Sequence, residues 1–188
     1  MKGRRKAIDH FFDALTIKVT VLSIGIWMLA ATVTGAVTYL FWRRGKLKLS
    51  SAILLPILVF YLLFALAVTL TERVPTGKAK YNLELFWSYR AIASGSTGLI
   101  GEIFWNVVLF VPIGLIVSAL LRRRRWLSVA IGILFSAGIE ITQLLIHLGF
   151  FEWDDMVHNG LGALIGFLLF SLLNKQGRRE RKKKPSSV

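Results

Sequence analysis

The sequence predicts an all-α protein, a polytopic membrane helix bundle with five transmembrane helices, on three observations. The 188 residues are 55% hydrophobic and have a mean hydropathy of +0.61, well above a typical soluble domain. Five apolar runs of about 18–24 residues recur along the chain, each long enough to cross a hydrocarbon core of ~30 Å. The basic residues fall in short clusters between those runs, the arrangement that fixes membrane topology.

A net charge of +14 invites nucleic acid as a partner, because basic faces bind phosphate. The clustering between apolar runs argues against it, and no nucleic-acid partner is expected. With no cysteine, the chain has no disulfide, thiolate nucleophile or thiolate metal site.

Residues 1–16 form an N-terminal basic and amphipathic segment. Lys2, Arg4, Arg5 and Lys6 precede Ile8, Phe11, Phe12 and Leu15, whose spacing makes one apolar face of a short interfacial helix. Residues 17–50 supply an extra N-terminal transmembrane helix and a basic turn. Its apolar run, Val19 to Trp42, is longer than a signal-peptide core, so an uncleaved span is expected. Tyr39 and Trp42 sit at its end as interfacial anchors, and Arg43, Arg44, Lys46 and Lys48 form the turn.

The second span is Ser51 to Thr71, with Pro56 near its start. A connector, Glu72 to Gly101, follows. Its middle, Tyr81 to Tyr89, is too aromatic for disorder and is expected at the membrane surface. The third span runs from Glu102 to Leu121, where Pro112 frees a carbonyl one turn back and predicts a kink. Arg122 to Arg125 make a tight basic turn, Trp126 to Leu148 is the fourth span, and Met156 to Leu173 the fifth. Residues 174–188 form a basic cytoplasmic tail, expected to be disordered.

In this five-span topology, fifteen Lys and Arg fall on one side and nine on the other. The positive-inside rule then places the C-terminus in the cytoplasm and the N-terminus outside.

Depth brings the polar residues together. Glu140 lies about 21 Å from the cytoplasmic edge, counted from Trp126 at 1.5 Å per residue. Asn106 is one turn below Glu102, and Asn159 one turn below Asp155, about 6 Å in each case. Ser136, Glu140, Gln143 and His147 share one face of the fourth span at 100° per residue. Asp155, Asn159, Gly162 and Gly166 form one stripe on the fifth. These placements predict a polar cavity open to the outer surface, lined by Glu102, Asn106, Glu140, Gln143, Asp154, Asp155 and Asn159.

Each member has a plainer reading. Asn106, Gln143 and Asn159 suit hydrogen bonds across helices, worth about 0.6–2 kcal/mol each. Asp154 and Asp155 suit a solvated loop, and Gly162 and Gly166 suit close helix packing. Glu140 resists the plain reading best, because an intramembrane carboxylate is a functional-site hypothesis by default. His147 and His158 have no metal-ligand spacing, so neither a metal nor another cofactor is expected.

The ordered string Asn106-x-x-x-Phe110-x-Pro112-x-Gly114, Ser136-x-x-x-Glu140-x-x-Gln143, and Asp154-Asp155-x-x-x-Asn159-x-x-Gly162-x-x-x-Gly166 resembles the VanZ family. These are small bacterial membrane proteins named after an accessory teicoplanin-resistance protein. The resemblance covers residues 51–173, including Tyr81-Asn82-Leu83, and implies a four-helix membrane domain to which the first span is an addition. It implies that Glu140, Gln143, Asp155 and Asn159 are characteristic polar positions, with Pro112, Gly114, Gly162 and Gly166 serving helix packing. The chain departs from the family pattern at Glu152, where Asp is common, and at Leu85, where Pro is common. The two histidines match no family position.

The resemblance implies a bacterial plasma membrane, an envelope context and no particular reaction. The expected function is an effect on the response to glycopeptide-type antibiotics, through a cavity that binds an envelope lipid or a lipid-linked wall precursor. The alternative is an intramembrane carboxylate-dependent enzyme acting on a lipid-linked substrate. Glu140 and Asp155 are its catalytic candidates, as acid and base or as carboxylate ligands of a divalent ion. A transporter ranks third, because the chain is short for inverted repeats. The expected partners are the lipid bilayer and such a precursor, with no nucleic acid, and the sequence sets no oligomeric state.

Overall fold

In a computed structural model, which describes residues 21–71, 78–122, 124–147 and 149–183, the chain forms helices at each expected span. They are α1 (Val21–Arg43), α2 (Leu49–Thr71), α3 (Trp87–Ala93), α4 (Leu99–Leu121), α5 (Leu127–Leu145) and α6 (Trp153–Lys183). Two short strands, β1 (Tyr81–Asn82) and β2 (Phe151–Glu152), pair in parallel. All helices but α3 are long and apolar enough to cross a membrane. The protein is a multi-pass membrane protein. The interfacial helix expected over residues 1–16 lies outside the described residues.

Two expectations are corrected. The fourth span ends at Leu145, and His147 sits in the following turn with φ 58°. A left-handed residue just past a helix end is a common terminator, and it takes His147 off the face shared by Ser136, Glu140 and Gln143. The tail is helical through Lys183. Residues 174–183 are mostly Lys, Arg, Gln and Glu, good helix formers, and they extend a helix already nucleated by the span. Residues 184–188 lie outside the described residues.

The core lies among α4, α5 and α6. A third of each of these spans is buried, against 6% of α1 and α2. Phe110, Ile113, Val117 and Ile139 form its centre, with Leu58, Tyr61, Leu62 and Leu66 of α2 packed against it. Helix α4 continues through Pro112, and the Tyr61 hydroxyl donates to the Leu109 carbonyl at 2.9 Å, beside the carbonyl that proline leaves without an N–H.

Helices α4 and α6 touch backbone to backbone. A Cβ at Gly162 would collide with the Val107 carbonyl and stand 2.9 Å from the Phe110 Cβ. A Cβ at Gly166 would collide with the Val111 carbonyl, and one at Gly114 with the Ala163 carbonyl. Dispersion between closely apposed backbones is what small residues give a membrane interface, where lipid supplies no hydrophobic drive.

Helix α1 packs on α2. The Thr38 hydroxyl donates to the Ala52 carbonyl at 3.0 Å, and Trp27 meets the Phe60 and Phe64 rings edge-on at 6.2 and 6.5 Å.

Candidate functional site

The polar residues gather where α4 and α6 begin and α5 ends. Asp154 and Asp155 occupy the first turn of α6, where the unpaired N–H groups and the helix dipole favour negative charge. Adjacent on a helix, their side chains diverge by about 100°, and the two carboxylates serve different elements.

Asp154 holds the connector. Its Oδ1 accepts the Phe86 N–H at 2.6 Å. Its Oδ2 accepts the Ser88 N–H at 3.0 Å and the Ser88 hydroxyl at 2.5 Å. Phe86 has φ 61° and leads directly into α3, so the chain turns to present two backbone donors, at residues 86 and 88, to one buried carboxylate. The parallel pairing of Tyr81 with Phe151 and Asn82 with Glu152 ties the connector to the same place. The Phe151 N–H donates to the Lys80 carbonyl at 3.0 Å, and the Lys80 ammonium lies 5.0 Å above the Phe150 ring. One turn into α6, His158 Nε2 stands 3.0 Å from the Tyr89 hydroxyl.

Asp155 faces α4, and its Oδ1 accepts the Asn106 Nδ2–H at 2.8 Å. Glu140 Oε2 accepts the backbone N–H of Glu152 at 2.9 Å. Gln143 Nε2 donates to the Thr69 carbonyl of α2 at 3.0 Å. Asn159 Nδ2 donates to the Ser136 hydroxyl of α5 at 2.7 Å. Glu140 and Gln143 are each 1% exposed, Asn159 3% and Asp155 9%. Asn106 is half-buried, and Glu102, in the first turn of α4, is exposed at the rim.

The layer is incompletely paired. Among the described residues, the buried acceptors Gln143 Oε1 and Asn159 Oδ1 meet no hydrogen-bond partner, and neither do His158 Nδ1 and the Trp87 Nε1–H. A buried polar atom left so costs roughly 1–3 kcal/mol. Among the described residues no three His, Cys, Asp or Glu side chains converge as metal ligands.

The expected residues thus separate into groups. Asn106 with Asp155, and Asn159 with Ser136, cross helices, whereas Glu140 holds β2, Gln143 reaches α2 and Asp154 leaves the layer for the connector. Sequence reasoning missed Ser88, Tyr89 and Thr69 as partners. The connector's aromatic density was the available signal, but no local spacing links residue 88 to residue 154.

The VanZ/LLP1 family matches residues 49–174. Protein VanZ of Enterococcus faecium is 26% identical over 110 residues, covering 55% of this chain and 68% of that protein. No solved structure matches. The matched segment opens at the first residue of α2 and runs into α6, with α1 ahead of it. It contains every residue of the polar layer and the connector that Asp154 holds, and the chain belongs to the VanZ/LLP1 family.

Proposed function

We propose that the protein acts in the bacterial cell envelope and alters the response to glycopeptide-type antibiotics, its polar layer receiving an envelope lipid or a lipid-linked wall precursor. The observation that carries this reading is that the layer holds two buried carboxylates, Glu140 and Asp155, together with the buried Gln143 and Asn159 oxygens, which meet no donor among the described residues. All four are acceptors. A ligand rich in hydroxyl or N–H donors, such as a glycan or peptide headgroup, complements them. The distribution of basic residues supports an outward-facing layer, since the turns at 43–48 and 122–125 lie at the opposite ends of the spans.

A second reading makes the layer catalytic. It is favoured by Glu140, 1% exposed and oriented by the Glu152 N–H, because a positioned, desolvated carboxylate is a competent acid or base. Glu140 and Asp155 would then act on a lipid-linked substrate.

Glu140→Gln and Asp155→Asn test both readings, since they nearly preserve volume and hydrogen bonding. In a teicoplanin-susceptible host, each variant should reach the wild-type level in the membrane and lose the wild-type effect on growth inhibition. Full retention by both would reduce the layer to helix–helix hydrogen bonding. Turnover of a lipid-linked precursor by the wild type and not by Glu140→Gln would select the catalytic reading.

A further inference from the structure

The opposite end of the bundle holds a second polar feature. About 24 Å of helix separates Asn106 from Arg122, at 1.5 Å per residue. There α4, α5 and α6 leave an open recess of about 240 Å³ lined by Arg122, Arg125, Trp126, Phe167 and Ser171.

Both arginines are tethered. Arg122 has φ 34°, uncommon for a residue with a side chain, and its guanidinium donates to the Ser50 hydroxyl at 2.7 Å. Arg125 donates through Nε to the Arg122 carbonyl at 2.7 Å and lies 5.6 Å above the Phe170 ring. Among the described residues neither meets a carboxylate. Nor does the local sequence supply one, because residues 14–71, 103–139 and 156–179 contain no Asp or Glu. Two positioned guanidiniums at the edge of a span, with no carboxylate partner among the described residues, are set for an anion.

The other lining residues narrow its kind. Guanidinium groups match phosphate oxygens in a planar fork. Trp126 is 63% exposed at the start of α5, as expected of a side chain at headgroup level. Phe167 gives the recess an apolar wall. The volume is below the ~300–1,000 Å³ of sites that enclose a whole small molecule, so a headgroup fits while its acyl chains stay in the bilayer.

We propose that this recess binds the phosphate of an anionic glycerophospholipid headgroup. Arg122 and Arg125 ligate the phosphate, Ser171 donates a hydrogen bond, and Trp126 closes the site toward water. The site is separate from the polar layer and independent of its function.

The test uses the full chain in detergent, titrated with dioctanoyl phosphatidylglycerol and followed by native mass spectrometry. Wild-type protein should show one saturable site. Dioctanoyl phosphatidylcholine should bind it poorly, because its quaternary ammonium would stand against two arginines. Combining Arg122→Gln with Arg125→Gln should weaken binding about 30-fold. Ser171→Leu fills the recess at constant charge and should weaken it roughly tenfold. Lys46→Gln with Lys48→Gln, exposed in the 43–48 turn, should leave it unchanged.

Equal weakening by the lysine pair, or unaltered binding by Ser171→Leu, would reduce the effect to diffuse surface attraction and overturn the proposal. Displacement of the lipid by inorganic phosphate at equal concentration would overturn it in favour of a soluble phosphate ligand. Should the double arginine variant fail to fold, Ser171→Leu and the phosphate competition decide the matter.

Discussion

Removing the Asp154 carboxylate should release the connector while leaving the helix bundle intact. Asp154 is 1% exposed and accepts three hydrogen bonds, from Phe86 N–H, Ser88 N–H and the Ser88 hydroxyl. In Asp154→Ala the hydroxyl can turn to another acceptor, but the two backbone donors cannot. Each loses its partner at a cost of roughly 1–3 kcal/mol, so about 2–6 kcal/mol weighs against the closed connector. At about 1.4 kcal/mol per factor of ten, α3 should open some 30-fold to 20,000-fold more often. Hydrogen–deuterium exchange on residues 87–94 of the full chain reads this directly. Ser88→Ala removes only the hydroxyl donor and should raise exchange tenfold or less. Amides of α4 and α6 around Gly162 should keep their protection in both variants. Unchanged exchange of α3 in Asp154→Ala would mean that the aromatic contacts and the β1–β2 pairing hold the connector, and the reasoning from Asp154 would fail.

Gly162→Leu should lower the yield of folded protein in fluorescence-detected size exclusion, because overpacking costs about 1–3 kcal/mol even where side chains can yield and here a backbone carbonyl stands in the way. Gly138→Ala, where an added Cβ meets nothing within 4 Å, is the control and should express normally. Topology can be read without background, since the chain has no cysteine. Trp153→Cys should react with an impermeant maleimide on intact cells, and Arg124→Cys only after permeabilisation; the reverse pattern would place the polar layer on the cytoplasmic side.

The spans were legible because bilayer thickness sets their length and lipid demands that each be continuously apolar. Glu140 stood out for the same reason, as a carboxylate in a segment that otherwise tolerates none. Depth counting set Asn106 level with Asn159, one turn below Asp155, whereas the structure bonds Asn106 to Asp155 itself. What escaped was direction. Asp154 and Asp155 are neighbours in sequence and were grouped as one feature, yet one helical step turns Asp154 to the connector and Asp155 to α4. His147 was placed by extending a 100° period beyond the point where the helix ends, and a left-handed turn residue carries no period. The tail was judged from charge alone, although its residues are also good helix formers and follow an established helix. The contacts of Ser88 and Tyr89 span 66 and 69 residues, distances over which hydropathy patterns hold no information.

Helix α1 is joined to α2 by only five residues, 44–48, and holds it through the Thr38–Ala52 hydrogen bond and the Trp27 edge contacts. It therefore behaves as a ligand on a leash. A contact too weak to hold two separate helices together in lipid is enough here, because the short turn keeps α1 at a high effective concentration beside its partner. The occupancy of that pairing is governed by the length of the turn as much as by the contact. Lengthening the turn with glycine and serine would let α1 drift from α2 without altering a single residue between them, and α4, α5 and α6 would keep their mutual packing throughout.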